Sequence, residues 1–194
     1  NLYDIHKTNF IVAGHPCRNM YNGLKPNYSF SPSHFVVLLS QKKHFNQNFS
    51  LIKIVSQCAK KLNFTYTLKF HPSDSFKNYN NVDVKDPLLV DVVLQEKYVT
   101  ELFNKDSICL FFATSAYYEV ISLGVPCIKY SHKFGTYKIS PSFNTLTELE
   151  DLLLNFNYIS DEYVKSATSL IDNEFGPYTK YPSDKYKAVI SQNF

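Results

Sequence analysis

Several things that usually announce a function are scarce or missing in this sequence. Its 194 residues hold no tryptophan, one arginine (Arg18), one methionine (Met20) and five glycines. Neither G-x-G-x-x-G nor G-x-x-x-x-G-K-[ST] occurs, which argues against dinucleotide and P-loop chemistry. No D-x-D occurs, so the common signature of a metal-held diphosphate is missing, and no two of the six histidines have the i, i+4 spacing of a helical metal site. The four cysteines, Cys17, Cys58, Cys109 and Cys127, form no C-x-x-C pair, and three lie in apolar runs, where buried reduced thiols belong. No stretch reaches the roughly 18 apolar residues of a membrane span, and no signal peptide opens the chain. A cytoplasmic protein is expected.

Charge of either sign is also thin. Lys plus Arg number 20 against 17 Asp plus Glu, a formal net charge of +3, and the lysines are scattered rather than gathered on one stripe. Nucleic acid is therefore not an expected partner, because a polyphosphate backbone is bound by a concentrated basic surface. A single small phosphorylated ligand fits better. Length allows one well-buried domain, taken here as 1–194. Residue 1 is Asn and the only methionine lies well inside the chain, so a piece of a longer protein is expected.

What is present is alternation. Apolar runs of strand length alternate with segments of helical period, the pattern of an α/β domain with a mainly parallel sheet and helices on both faces. A first run, Asn9 to Ala13, ends at Gly14-His15-Pro16 and leads into a polar loop, a crossover segment within 1–30. His34 to Leu39 reads as a buried strand, and Phe49, Ile52, Val55, Ala59 and Leu62 recur at helical spacing after it. Phe64 to Phe70 reads as a strand closed by His71-Pro72. Leu88 to Leu94 suits a short strand or a helix, Glu96 to Asn104 a helix, and Ile108 to Phe112 a strand. A helix from Ser115 to about Leu123 then stops at Gly124, and Pro126 opens another strand. Thr145-Leu-Thr-Glu148 is a capping box before a further helix, with two more expected at about Ser160 to Asn173 and Ser183 to Gln192.

In open parallel sheets ligands collect beyond the carboxyl ends of the strands. Two strand ends here carry suitable chemistry. In Lys69-Phe70-His71-Pro72, Lys69 and His71 point to one side, and the proline fixes the backbone behind an imidazole able to bond a phosphate oxygen. In Ala113-Thr114-Ser115-Ala116, Ser115 suits an N-cap, yet two hydroxyls stand where capping needs one; with bare helix amides they could cradle an anion. Glu119, four residues beyond Ser115, shares its helix face and could accept from ribose hydroxyls, or simply complement the helix dipole. His15, also followed by proline, is the other histidine of interest; His6, His44 and His132 read as solvated.

The order K-x-H-P, then about forty residues later T-S-x-x-x-E and L-G-x-P before a strand, resembles the C-terminal, nucleotide-donor-binding half of GT-B-fold glycosyltransferases. "LKFHPSD" with "FFATSAYYEVISLGVPCIKY" is most similar to the bacterial polysaccharide group in which an HP motif and a Ser/Thr-Ser motif hold the donor phosphate. That group includes sialyltransferases, which use a CMP-sugar, and CDP-glycerol phosphotransferases. "IVAGHPCRN" resembles the segment where such chains cross into their second domain, which adds Gly14 and His15 to the substrate-binding candidates. The resemblance implies that His71 and Pro72, beside Lys69, meet the donor phosphate, that Thr114 and Ser115 complete its site, and that Glu119 lies near the nucleoside. It further implies a nucleotide-sugar donor, a glycan or lipid-linked acceptor, no metal and no separate cofactor. The catalytic base would come from an N-terminal domain, and work would be done at the inner face of the cell membrane, on surface or capsular polysaccharide. UDP-N-acetylglucosamine 2-epimerases share the fold but carry S-G-G where this chain has Thr114-Ser115-Ala116. An epimerase-like enzyme and a non-catalytic flavodoxin-like binding module are the alternative readings.

Overall fold

The computed structural model describes residues 32–74, 77, 79, 86–93, 97–131, 140–155, 165–167 and 169–170. The segment around Gly14 and His15, the first expected strand and the helix expected at Ser183 to Gln192 lie outside the described residues.

Strand β1 (His34–Leu38) is followed by a 3-10 turn (Lys42–His44) that runs into helix α1 (Phe45–Leu62). Strands β2 (Thr65–Lys69) and β3 (Leu89–Val93) come next, then a second 3-10 turn (Val99–Leu102) and β4 (Ser107–Phe111). Helix α2 (Ala116–Ser122), β5 (Cys127–Tyr130), β6 (Ser142–Phe143) and α3 (Leu146–Asn155) follow, and residues 165–167 and 169–170, within the helix expected at about Ser160 to Asn173, are helical. Of the apolar run at Leu88 to Leu94, Leu89–Val93 is thus a strand. The helix expected over Glu96 to Asn104 reduces, among the described residues, to the Val99–Leu102 turn, because extended Phe103 ends it. β6 was not anticipated, since two paired residues leave no periodicity to read.

The six strands form one parallel sheet in the order β3-β2-β1-β4-β5-β6. The central strands β1 and β4 are near-continuous apolar runs because both of their faces are covered. Odd-numbered Phe35, Val37 and Leu39 pack with Leu51, Ile52, Val55 and Ala59 of α1 and Leu149 of α3. Even-numbered Val36 and Leu38 pack on the other face with Phe111, Tyr117, Val120 and Ile121. Fully burying one such side chain contributes roughly 1.5–3 kcal/mol. Cys58, Cys109 and Cys127 are buried free thiols within these layers, and burial pushes the Cys58 thiol up to about 12.

Local signals at the element ends behave as their chemistry requires. Asn63 closes α1 in the left-handed region (φ 55°), a conformation asparagine tolerates, and its N–H donates to Ala59 O. Gly124 takes φ 74° after α2. At α3 the capping box is made in full: Glu148 N donates to Thr145 Oγ1, and Thr145 N donates to Glu148 Oε2, both at 3.3 Å. No helix of the described residues is long and apolar enough to cross a membrane.

The chain crosses from β3, at one edge, back past β1 to β4. Strand order therefore reverses between β1 and β4, and the loops leaving those two strands diverge to opposite faces. A crevice beyond the carboxyl ends is the geometric result.

Candidate functional site

β2 delivers an ammonium group to that crevice, and the turn after it an imidazole. Lys69 is its last residue and is buried, and burial holds its ammonium below the ordinary lysine value. Such a group gains when an anion replaces the water it has lost. Two residues on, His71 is half-buried and its ring is fixed from behind. Ser73 N donates to Nδ1 at 3.1 Å, and Ser73 Oγ lies 2.8 Å from the same atom. A backbone N–H can only donate, so Nδ1 accepts and the neutral ring carries its proton on Nε2. Asp74 N donates to His71 O at 2.8 Å, closing the turn that Pro72 begins.

β4 delivers the second wall. Its exit is a sharp turn at Ala113, whose φ of 40° lies in the left-handed region. For alanine that conformation costs on the order of 1 kcal/mol. The Ala113 carbonyl accepts from Ser40 Oγ at 2.8 Å. Beyond it the capping bond is made by Thr114, whose Oγ1 accepts from Ala116 N at 3.3 Å, and Ser115 makes none. The expectation of Ser115 as the cap is corrected accordingly. Ser115 has helical backbone angles (φ −70°, ψ −20°), which places it inside the first turn, one position too late to cap. Further along the turn, Tyr117 N donates to Thr114 O and Tyr118 N to Ser115 O. Glu119, in the first turn of α2, is half-buried, and burial holds its carboxyl above the usual range.

The two walls border one cleft of about 350 Å³, lined by Lys69, His71, Pro72, Thr114, Ser115 and Glu119. All six candidates within the described residues are therefore brought together, although forty or so positions separate the two motifs. Leu38 and Leu39 at the end of β1 form the floor, and Lys97, Tyr98 and Val99 form a further side. Those five were missed by sequence reasoning. Tyr98 is 75% exposed, a flat ring at the rim, and nothing in its local pattern distinguishes it from a surface tyrosine. Lys97 pairs with Asp91 at 3.0 Å on the exposed side. Among the described residues no three His, Cys, Asp or Glu side chains converge as a metal site.

The strand order 3-2-1-4-5-6 and a cleft over its switch point define an α/β, Rossmann-like domain of the kind that forms one half of a GT-B protein. Solved structures bear this out at the level of fold. The crystal structure of TarM matches with a TM-score of 0.50 and 16% identity, over 86% of this chain and 37% of that one. UDP-GlcNAc 2-epimerase of Methanocaldococcus jannaschii, in complex with UDP-GlcNAc and UDP, matches with a TM-score of 0.53 and 13% identity, over 81% of this chain and 47% of that one. The chain thus spans less than half the length of either. No protein-family model matches the sequence, and no curated protein matches it significantly.

Proposed function

We propose that the cleft binds the phosphate of an activated nucleotide-sugar and that the chain is the donor-binding half of a GT-B glycosyltransferase acting in bacterial surface polysaccharide synthesis. The observation that carries this reading is the meeting of Lys69 and His71 with Thr114, Ser115 and Glu119 around one open cleft at the switch point. As the glycosyl bond breaks, negative charge grows on the leaving phosphate. The His71 Nε2–H, the Lys69 ammonium and the two hydroxyls are groups suited to receive it without reorganising. They would take the place of a divalent cation, so activity of the complete enzyme is expected to survive chelators. Glu119 and Tyr98, which line the same cleft, would serve the nucleoside, the first as an acceptor for ribose hydroxyls and the second as a flat surface for a base. The motif resemblance favours a CMP- or CDP-linked donor and a glycan or lipid-linked acceptor. A thermal-shift screen of the chain against CMP, CDP, UDP and GDP tests the reading, because a ligand that binds only the folded state raises Tm. A rise with a cytidine nucleotide supports it, and no rise with any of the four refutes it.

A second reading has one observation in its favour, the fold shared with an epimerase that holds UDP-GlcNAc and UDP. Incubating the complete enzyme with nucleotide-sugar and acceptor separates the two: a new glycosidic linkage means transfer, and inversion at C2 of the sugar means epimerisation.

A further inference from the structure

Behind the cleft lies a chain of buried polar groups that the phosphate site does not itself require. Ser40 (1% exposed) and Asn48 (0%) come from one stretch of sequence, Asp74 (9%) and Tyr79 (1%) from another some thirty positions on. Asn48 Oδ1 accepts from Ser40 N at 2.9 Å, and its Nδ2 donates to Ser40 O at 2.9 Å and to Tyr79 Oη at 3.1 Å. Tyr79 Oη donates in turn to Asp74 Oδ2 at 2.6 Å. Burial and the Asp74 carboxylate push the Tyr79 phenol up, so it stays a donor across the working pH range. The two ends of the chain are the informative part. At one end Asp74 N donates to the carbonyl of His71, and at the other Ser40 Oγ donates to the carbonyl of Ala113. An unbroken path of hydrogen bonds therefore links the turn that carries the imidazole to the turn that carries the hydroxyls.

Stability alone does not account for this arrangement. A buried polar cluster is commonly no more stabilising than apolar side chains of the same volume, and every group in it becomes costly if one partner is lost. What such a cluster does provide is a fixed distance, since each bond tolerates only a few tenths of an ångström. It also meets Ala113, the residue just before the Thr114-Ser115 hydroxyls, where the backbone is held in the left-handed region. We propose that Ser40, Asn48, Tyr79 and Asp74 are positioning residues that set the separation of the His71 imidazole from the Thr114 and Ser115 hydroxyls. The inference rests on the reading of the cleft as a phosphate site.

Tyr79→Phe is the sharpest test, because the ring contacts with Phe45 (4.8 Å) and Phe70 (5.0 Å) survive and only the hydroxyl is lost. Two readouts are needed, calorimetry with CDP and the His71 imidazole resonances in the ligand-free chain. Leu149→Val, on the buried face of α3 and not among the cleft residues, serves as a destabilised control. Expected for Tyr79→Phe is CDP affinity lower by roughly fivefold with broadened or shifted imidazole signals. Leu149→Val should bind CDP as the wild type does, and Asp74→Asn, which keeps an acceptor for Tyr79, should stay within about twofold. Should Tyr79→Phe fail to fold, Ser40→Ala removes only the donor to Ala113 and is read in the same way. Wild-type affinity and wild-type imidazole signals in the network variants overturn the proposal, as does equal weakening by Leu149→Val. If the wild type binds none of CMP, CDP, UDP and GDP, the donor reading fails, and the ligand-free resonances still decide whether the network positions His71.

Discussion

Two buried polar clusters built from the same parts sit at opposite ends of the sheet. At the amino end, Asp86 is 3% exposed and accepts from Ser56 Oγ (2.9 Å), Tyr66 Oη (3.0 Å) and Leu88 N (3.1 Å), with Lys60 at 3.7 Å. At the carboxyl end, Asp74 accepts from Tyr79, which joins Asn48 and Ser40. Each combines a carboxylate, a tyrosine hydroxyl and a serine. The first ties α1 to β2 and to the approach to β3, elements packed directly on one another, so its bonds serve the fold. The second ties loops that would otherwise border a cleft independently. Identical chemistry thus serves stability in one place and position in the other, and the surroundings decide which.

That contrast can be broken at several points. The largest effect is expected from His71→Ala, which removes a charge-assisted bond worth on the order of 1.5–3 kcal/mol and so weakens CMP or CDP binding by roughly tenfold or more. Calorimetry checks it, and unchanged affinity rejects the site. Next comes Asp86→Ala, which strands the buried Tyr66 hydroxyl and the Leu88 N–H and should lower stability by about 2 kcal/mol in urea titrations. Its nucleotide affinity should stay at the wild-type level; a parallel loss of binding would erase the distinction between the two clusters.

The same residue carries a pH test. Burial alone would raise the Asp86 carboxyl, but the Leu88 N–H, the Ser56 and Tyr66 hydroxyls and Lys60 outweigh it and hold the group below its ordinary 3.8. Its stabilising contribution is therefore complete above that pH and is lost as pH falls through the folded value. The stability gap between wild type and Asp86→Ala should narrow there.

Smaller effects are expected on the cleft wall. Ala113→Gly relieves a left-handed alanine but loosens the unfolded chain, for a net gain of about 0.5 kcal/mol in thermal unfolding. A loss would mean that the turn depends on the alanine methyl. Smallest is Glu119→Gln. The Glu119 carboxyl lies above its ordinary 4.5 because burial disfavours its charge, so the wild type loses stability as pH rises from 4.5 through the folded value. Glu119→Gln should melt slightly higher at pH 7 and level with the wild type in acid, a trend read from paired melting curves.

How far the sequence could be read follows from where each signal resides. The Thr145-to-Glu148 capping box, the Gly124 stop and the Pro72 and Pro126 strand limits are local chemistry, and the structure repeats them. The Ser115 cap failed by one residue because cap choice depends on where the turn at Ala113 releases the chain, and that turn is shaped by Ser40, more than seventy positions earlier. Tyr98 was invisible for a related reason: a tyrosine outside any period carries no mark of the cleft it overlooks.

The sequence by itself determined a parallel α/β layer structure, because strands buried on both faces must be continuously apolar and helices must show one apolar stripe. It also determined that His71-Pro72 and Thr114-Ser115 stand at strand ends. Only the tertiary structure decided that β1 lies between β2 and β4, so that both ends open on one cleft and a buried relay joins them. Strand order and hydrogen bonds between distant residues are settled by packing the whole sheet, and no local pattern in the chain records that.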